Sequence, residues 1–375
     1  SPDNIRGKKA LCSAANRSRE RTQCFEGKQR VLLATVALTL SDEGSRDLVG
    51  SSVVVNNVKS LYGDAPPGTS TVLLTIDGVV GFGTSSVYVS ATTLQGKRFT
   101  LRIRVLDSEG GKYSREECRE TVDNENNAFS TVAFAQGAEK NLAILRKKCG
   151  LLIPLYKGMI EGVYVENVRG SFVIRGEVDF MPPIAGNLEQ ALPRLAEAGD
   201  SAPYARSYIA TRLLMQTLYL HQAGLSHNGL CWSNLFVDDS GEVFLSGMDA
   251  AASFGEPLSK AAKLDAVYGE PELRKDFKNF REGGSPVKAN DKSDMWSLGA
   301  LLYEVLTGRS FQSLVVNGEF DETSRRTAAH ELAHSGVRSA WKDLVLQLLE
   351  LNREKRISAV EISHRLRNFL SVGPY

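Results

Sequence analysis

His227-Asn228-Gly229-Leu230-Cys231-Trp232-Ser233-Asn234-Leu235-Phe236-Val237 decides how this chain is read. A histidine opens the stretch, an asparagine closes its polar part, and an apolar run follows. After that run come Asp238-Asp239-Ser240-Gly241 and then Glu242-Val243-Phe244-Leu245. Asp-Ser-Gly between two short apolar runs is the signature of a tight turn, so the spacing predicts a β-hairpin. The hairpin leads into Gly247-Met248-Asp249. Further on, Met295, Leu298, Leu302 and Val305 recur at steps of three, four and three. That spacing makes one apolar helix stripe, and Gly308 is a natural stop for it.

The stretch resembles the catalytic loop of protein kinases, H-R-D-L-x-x-x-N. In that family the Asp positions the substrate hydroxyl and the Asn holds magnesium. Here Asn234 is present at the right spacing, but the Asp position is Gly229, which has no side chain to accept a proton. Cys231 stands where the family has a phosphate-contacting Lys. The metal-binding D-F-G register falls on Gly247-Met248-Asp249, so a second carboxylate is replaced, by Gly247, and Asp249 comes two residues late. The resemblance implies an architectural role for His227, packed under the loop. It also implies that Asp294 ties the loop's backbone to the long helix. Tyr268-Gly269-Glu270-Pro271-Glu272 matches Y-x-A-P-E with Glu270 in place of Ala, and implies that Arg356 pairs with Glu272.

The expected fold is α+β: a bilobal protein-kinase-like architecture with a β-rich N-lobe and a mainly helical C-lobe. The expected divisions are an N-terminal extension at 1–69, packed on or flanking the N-lobe, an N-lobe at 70–182 and a C-lobe at 183–375. The segment Gly78-Val79-Val80-Gly81-Phe82-Gly83 falls where the family keeps its glycine-rich phosphate loop. No register supplies all its glycines; one register puts Tyr88 at the family's Val. The segment is read as a glycine-containing β-turn. Phe99-Thr100-Leu101-Arg102 best matches the family's lysine strand, with Arg102 for the Lys. Arg keeps the charge but is planar and bulkier. Glu125 is the candidate partner on the facing helix, with Glu120 second. These two, Arg102 and Glu125, are vestigial candidates for a cofactor site.

A 42% apolar and 24% charged chain of 375 residues fits an ordinary globular protein. A net charge of +1 argues against a general polyanion binder, so no nucleic-acid partner is expected. No apolar run is long enough to span a bilayer. The chain begins at Ser1-Pro2 without Met and shows no signal peptide, which reads as a mature or trimmed product. Residues 1–30 form a basic arm with a glycosylation sequon at Asn16, and Val31–Leu40 and Ser52–Val55 read as strand-like runs. Five cysteines are too few for a disulfide-held scaffold. Pairing among Cys12, Cys24, Cys118 and Cys149 is left open, as are free buried thiols. No spacing of Cys and His suggests zinc.

The eroded small lobe, the N-terminal arm and the cysteines resemble the rhoptry and dense-granule kinase family of apicomplexan parasites such as Toxoplasma, and most of all its branch without a glycine-rich loop. That resemblance implies secretion into the parasitophorous vacuole or cyst wall. The expected function is a pseudokinase acting as a scaffold for protein partners, with ATP and magnesium binding absent or weak and no metal site. The rival expectations are a nucleotide-binding switch and an atypical kinase with a rebuilt metal site.

Overall fold

The computed structural model describes residues 49–366 and 369, apart from 51, 62–69, 83–85, 108–114, 140–141, 168–169, 196–198, 200–201, 261 and 317. The basic arm, Asn16, the run at 31–40, Cys12 and Cys24 lie outside the described residues, as does the side chain of Cys118.

The small lobe is a closed barrel of six antiparallel strands. They are β1 (Ser52–Ser60), β2 (Thr71–Phe82), β3 (Ser86–Thr93), β4 (Arg98–Asp107), β5 (Tyr156–Asn167) and β6 (Gly170–Met181), in spatial order β1-β2-β3-β4-β6-β5. Alternation sets which side chains point inward. Val53 and Val55 of β1, Leu74 and Ile76 of β2, Val89 and Ala91 of β3, and Leu101 of β4 are all buried. Phe99, Tyr156 and Phe180 meet edge to face at one end, with centroids 5.4 to 6.1 Å apart. Helix α1 (Arg115–Ala135) follows β4.

Two expectations change here. Strand β1 pairs with both β2 and β5, so the barrel already includes residues 52–60, inside the segment read as an extension. Its closing partner lies about a hundred residues downstream, beyond the reach of local pattern. Gly78 and Gly81 lie within β2 rather than in a turn, beside two irregularities of its register with β3. Bulges of this kind bend a strand without ending it.

The large lobe begins with β7 (Ile184–Asn187), α2 (Leu188–Leu195), α3 (Ala202–Gln222) and β8 (Leu225–Ser226). The expected hairpin is present as β9 (Leu235–Asp238) and β10 (Val243–Leu245), with Val237 opposite Val243, and β7 adds a third strand. Asp238 Oδ1 accepts the N–H groups of Ser240 and Glu242, which closes the turn. A two-residue strand, β11 (Ala252–Ser253), pairs with β8. Then come α4 (Pro271–Arg281), α5 (Ser293–Thr307), α6 (Glu322–His334), α7 (Ser339–Leu348) and α8 (Ala359–His364). Met295, Leu298, Leu302 and Val305 are buried as their stripe predicts. Trp296, Leu301 and Tyr303 on the other faces of α5 are buried too, so this helix is the axis of the lobe.

The buried acid that meets Arg356 is Glu270, not Glu272. Glu270 is fully buried and accepts from Arg356 Nη1, from Arg353 Nε at 2.8 Å and Nη2 at 2.6 Å, and from Ser293 Oγ at 2.5 Å. Glu272 is half exposed, and among the described residues its ion pair is with Arg353, at 3.1 Å. Pro271 opens α4, so the residue before it turns into the core while the residue after it faces solvent. Arg356 also donates to the carbonyls of Glu350 and Lys292 and lies over the Trp296 ring. Burial pushes the Glu270 carboxyl upward, but the hydrogen bonds and charges of Arg353 and Arg356 outweigh it and hold the group below its ordinary value.

Removing one partner of such a pair strands a buried charge. Glu270→Ala is expected to lower unfolding stability by about 3–5 kcal/mol in a urea titration, and Glu272→Ala by no more than about 1 kcal/mol. Because the folded value of Glu270 is depressed, its contribution is complete above the usual glutamate range. It is lost as pH falls through the folded value.

Candidate functional site

The loop after β8 is held from beneath by Asp294, at the start of α5. Its Oδ2 accepts the backbone N–H of His227 at 2.6 Å, and its Oδ1 accepts that of Asn228 at 2.8 Å. His221, near the end of α3, reaches Oδ2 through Nε2 at 3.1 Å. Burial works against the Asp294 charge, and these partners more than offset it, so its pKa lies below the ordinary value. The His227 ring is wholly buried. It donates from Nε2 to the Ser246 carbonyl at 2.9 Å and accepts the Gly229 N–H at Nδ1 at 3.1 Å. Those two bonds assign its tautomer. Asn228 adopts a positive φ of 60°, which Asn tolerates better than most side chains, and its amide donates to the Ala250 carbonyl at 3.0 Å.

Three positions of the expected chemistry meet at this point. Asn234 donates from Nδ2 to the Gly229 carbonyl at 2.9 Å. Gly247 has a φ of 76°, and a Cβ there would stand 2.4 to 2.5 Å from the Asn234 amide. The Asn234 side chain therefore fills the space that a residue at 247 would need. Gly229 is different: a Cβ there would meet only ordinary contacts, at 3.6 Å or more. Cys231 lies buried with Sγ 3.1 Å from Ser233 Oγ, and burial pushes its thiol up to about 12. Burial thus disfavours the thiolate, the nucleophilic form. Cys149 is likewise a free buried thiol, raised to about 11 by burial. Asp249 sits in a tight turn at Met248–Ala250, whose backbone accepts from Asn124 of α1 at 3.3 Å. Among the described residues, no three His, Cys, Asp or Glu side chains come together as a metal site.

Within the small lobe, the structure brings Arg102 of β4 and Glu125 of α1 together. Arg102 Nη1 and Nη2 donate to the two Glu125 oxygens, both at 2.6 Å. Sequence reasoning missed the third member, Asp179 of β6, whose Oδ2 accepts from Arg102 Nε at 2.8 Å and from Nη2. Strand register explains it, because Arg102 and Asp179 are directly opposite across β4 and β6. All three are almost completely buried. Burial disfavours the guanidinium charge, but Asp179 and Glu125 more than compensate and raise its pKa.

Tyr88 was also missed as a site residue. Its hydroxyl lies 3.1 Å from Ser246 Oγ, and its ring centroid is 4.4 Å from that of Phe236. Burial raises the hydroxyl's pKa against the opposing charge of Arg102. Val80, Tyr88, Leu152, Met181, Ile184, Phe236 and Phe244 form one buried cluster that joins the barrel to the β9–β10 hairpin. The sequence signal was the aromatic residue in the Val register after the glycines. Outside this cluster an open groove of about 850 Å³ runs along the large lobe past Gly229, Ser233, Asn234, Asp265 and Arg274.

Residues 186–366 match the protein kinase domain family. The chain has the bilobal α+β fold of that family. It is 29% identical over 158 residues to a calcium and calcium/calmodulin-dependent serine/threonine-protein kinase of Pisum sativum, a match covering 38% of this chain and 26% of that protein. It is 26% identical over 150 residues to ribosomal protein S6 kinase-like 1 of Mus musculus, covering 40% and 24%. The chain thus spans about a quarter of the length of these relatives. Its fold is similar to that of ROP2 from Toxoplasma gondii, described as a virulence factor with a protein-kinase fold and no enzymatic activity. That likeness has a TM-score of 0.62 at 14% identity and covers 90% of this chain and 96% of the other. It is also similar to the kinase domain of a Toxoplasma gondii specific rhoptry antigen (TM-score 0.62, 16% identity, 89% and 90% covered). A third likeness is to the ROP18 kinase domain in complex with AMP-PNP and sucrose (TM-score 0.63, 12% identity, 92% of each chain).

Three substitutions test this geometry. Arg102→Met would leave Glu125 and Asp179 buried without their cation, and is expected to lower stability by about 3–5 kcal/mol in denaturant unfolding. Gly247→Ala combines a left-handed backbone with a steric clash and is expected to cost at least about 1–3 kcal/mol by the same measurement. Gly229→Ala, with room for its Cβ, should cost distinctly less.

Proposed function

We propose that this chain is a catalytically inactive pseudokinase that works by binding protein partners. The observation that carries the reading is the Tyr88 side chain, which reaches from β3 to Ser246 and packs on Phe236, joining the barrel to the hairpin. On this reading its ring takes the space in which kinases hold their nucleotide. The Arg102 guanidinium is turned to Glu125 and Asp179 rather than outward. Phosphoryl transfer depends on positioning and on electrostatic stabilisation of the transferred group. With Gly229, Cys231 and Gly247 at the positions of the family's base, lysine and metal carboxylate, none of those charges is supplied. ATP and magnesium binding is absent or weak on this reading.

The setting follows from the family resemblance. We place the chain in the rhoptry and dense-granule kinase family of Toxoplasma, nearest to the bradyzoite pseudokinase of the tissue-cyst wall. Its role there is that of a secreted scaffold of the parasitophorous vacuole or cyst wall. The likeness to ROP2, described as having no enzymatic activity, supports the inactive reading without carrying it.

Thermal unfolding with and without ATP, in magnesium, manganese or neither, tests the reading. A ligand at about 100 times its dissociation constant adds roughly 2.7 kcal/mol to the folded state, enough to raise the melting temperature visibly. No shift is expected under any condition. A metal-dependent shift would overturn the filled cleft and reinstate a nucleotide switch, and phosphate transfer on top of it would make the chain an atypical kinase.

A further inference from the structure

Sequence reasoning found no Cys and His spacing for zinc, but it passed over helix α6, which carries His330-Glu331-Leu332-Ala333-His334, two histidines one helical turn apart around a glutamate. On a helix such a pair lies on one face and can grip a single metal ion. Ser324, Ala328 and Leu332 form the buried face of α6, and His330 and His334 fall on the opposite, exposed side. Their rings lie 4.3 Å apart between centroids, tilted by 38°. The His334 Nδ1–H donates to the His330 carbonyl at 2.7 Å, which leaves the lone pair on Nε2, the outward nitrogen. This is the backbone support that orients ligating imidazoles in metal sites. Zinc–nitrogen bonds of about 2.0–2.1 Å require the two nitrogens to converge to roughly 3.0–3.5 Å. A small rotation of two exposed, facing rings supplies that. Both residues sit toward the C-terminal end of the helix, where the partial negative charge of the backbone favours a cation.

We propose that His330 and His334 form a surface site for Zn²⁺ or a similar borderline divalent transition metal. The two imidazoles are the protein ligands. Among the described residues no third His, Cys, Asp or Glu completes the set, so water fills the remaining positions. Glu331 does not act as a general base toward that water. Its carboxylate accepts from the Tyr303 hydroxyl and from Arg309 Nη1 at 2.5 Å, which commits it to α5 and the segment that follows it. The site therefore binds metal without the peptide hydrolysis that this residue order supports elsewhere.

The test is calorimetric titration of the untagged full chain with Zn²⁺, alongside His330→Ala, His334→Ala and the double variant. One ion per chain is expected at this site. Either single substitution should weaken binding by at least about tenfold, since even outer-shell changes at metal sites cost that much, and the double variant should lose the site. Both positions are exposed, so metal-free unfolding midpoints should not move. Electron paramagnetic resonance with Cu²⁺ gives a second readout: two imidazole nitrogens in the parent and one in each single variant. Zn²⁺ binding that is unchanged in the double variant, or absent from the parent at millimolar metal, would overturn the proposal.

Discussion

The Asp294 carboxylate is the interaction on which the rest of the site depends. It is a charge with almost no access to water, at the start of a helix that is buried on nearly every side. A lone buried carboxylate is strongly disfavoured, so its partners are obligatory. They are two successive backbone N–H groups of the loop and the ring of His221. With those bonds in place, His227 is directed onto the Ser246 carbonyl, and the end of the hairpin is fixed in turn. None of these bonds involves the side chain at 229. The loop can keep its kinase-like shape with glycine there, because the shape is set by a scaffold acid and not by a reacting one.

A second buried cluster couples the barrel to helix α1. One guanidinium faces two carboxylates, so Arg102 is enclosed by acceptors. A lysine in its place would offer a compact charge with three donors, and could not reach both acids in the same fork-like manner. Arginine at 102 is therefore suited to the presence of Asp179 across the strand pair. Tyr88 belongs to the same arrangement. It stands beside the guanidinium and reaches the hairpin through Ser246, so the polar network and the apolar cluster between the lobes share a residue.

What could be read from the sequence was what local pattern or fixed spacing determines. The β9–β10 hairpin followed from Asp-Ser-Gly between apolar runs, and α5 from its stripe. Arg102 and Glu125 could be matched because each has a set place in the family's order. Asp179 and Tyr88 could not, since their partners lie 77 and 158 residues away: strand register brings Asp179 to Arg102, and packing of the barrel on the hairpin brings Tyr88 to Ser246. Glu270 was misread for a subtler reason. Two acids flank one proline, and the direction each side chain takes depends on how the backbone enters the helix. Strand β1 was assigned to an extension because the strand that closes the barrel against it comes so much later in the chain.

The two glycines of the site also differ in kind. At 229 the backbone has room for a side chain, so packing does not demand glycine there. At 247 the Asn234 amide occupies the missing side chain's space, and the backbone has a left-handed conformation that other residues resist. Asn234 in turn is held by the Gly229 carbonyl. Glycine at 247 is thus required by the packing of its neighbour. Effects at 229, 234 and 247 should not combine additively, because the three share contacts. A carboxylate placed at 229 would face an asparagine already turned to the backbone. A side chain placed at 247 would require that asparagine to move, so the loop and the hairpin end would have to change together.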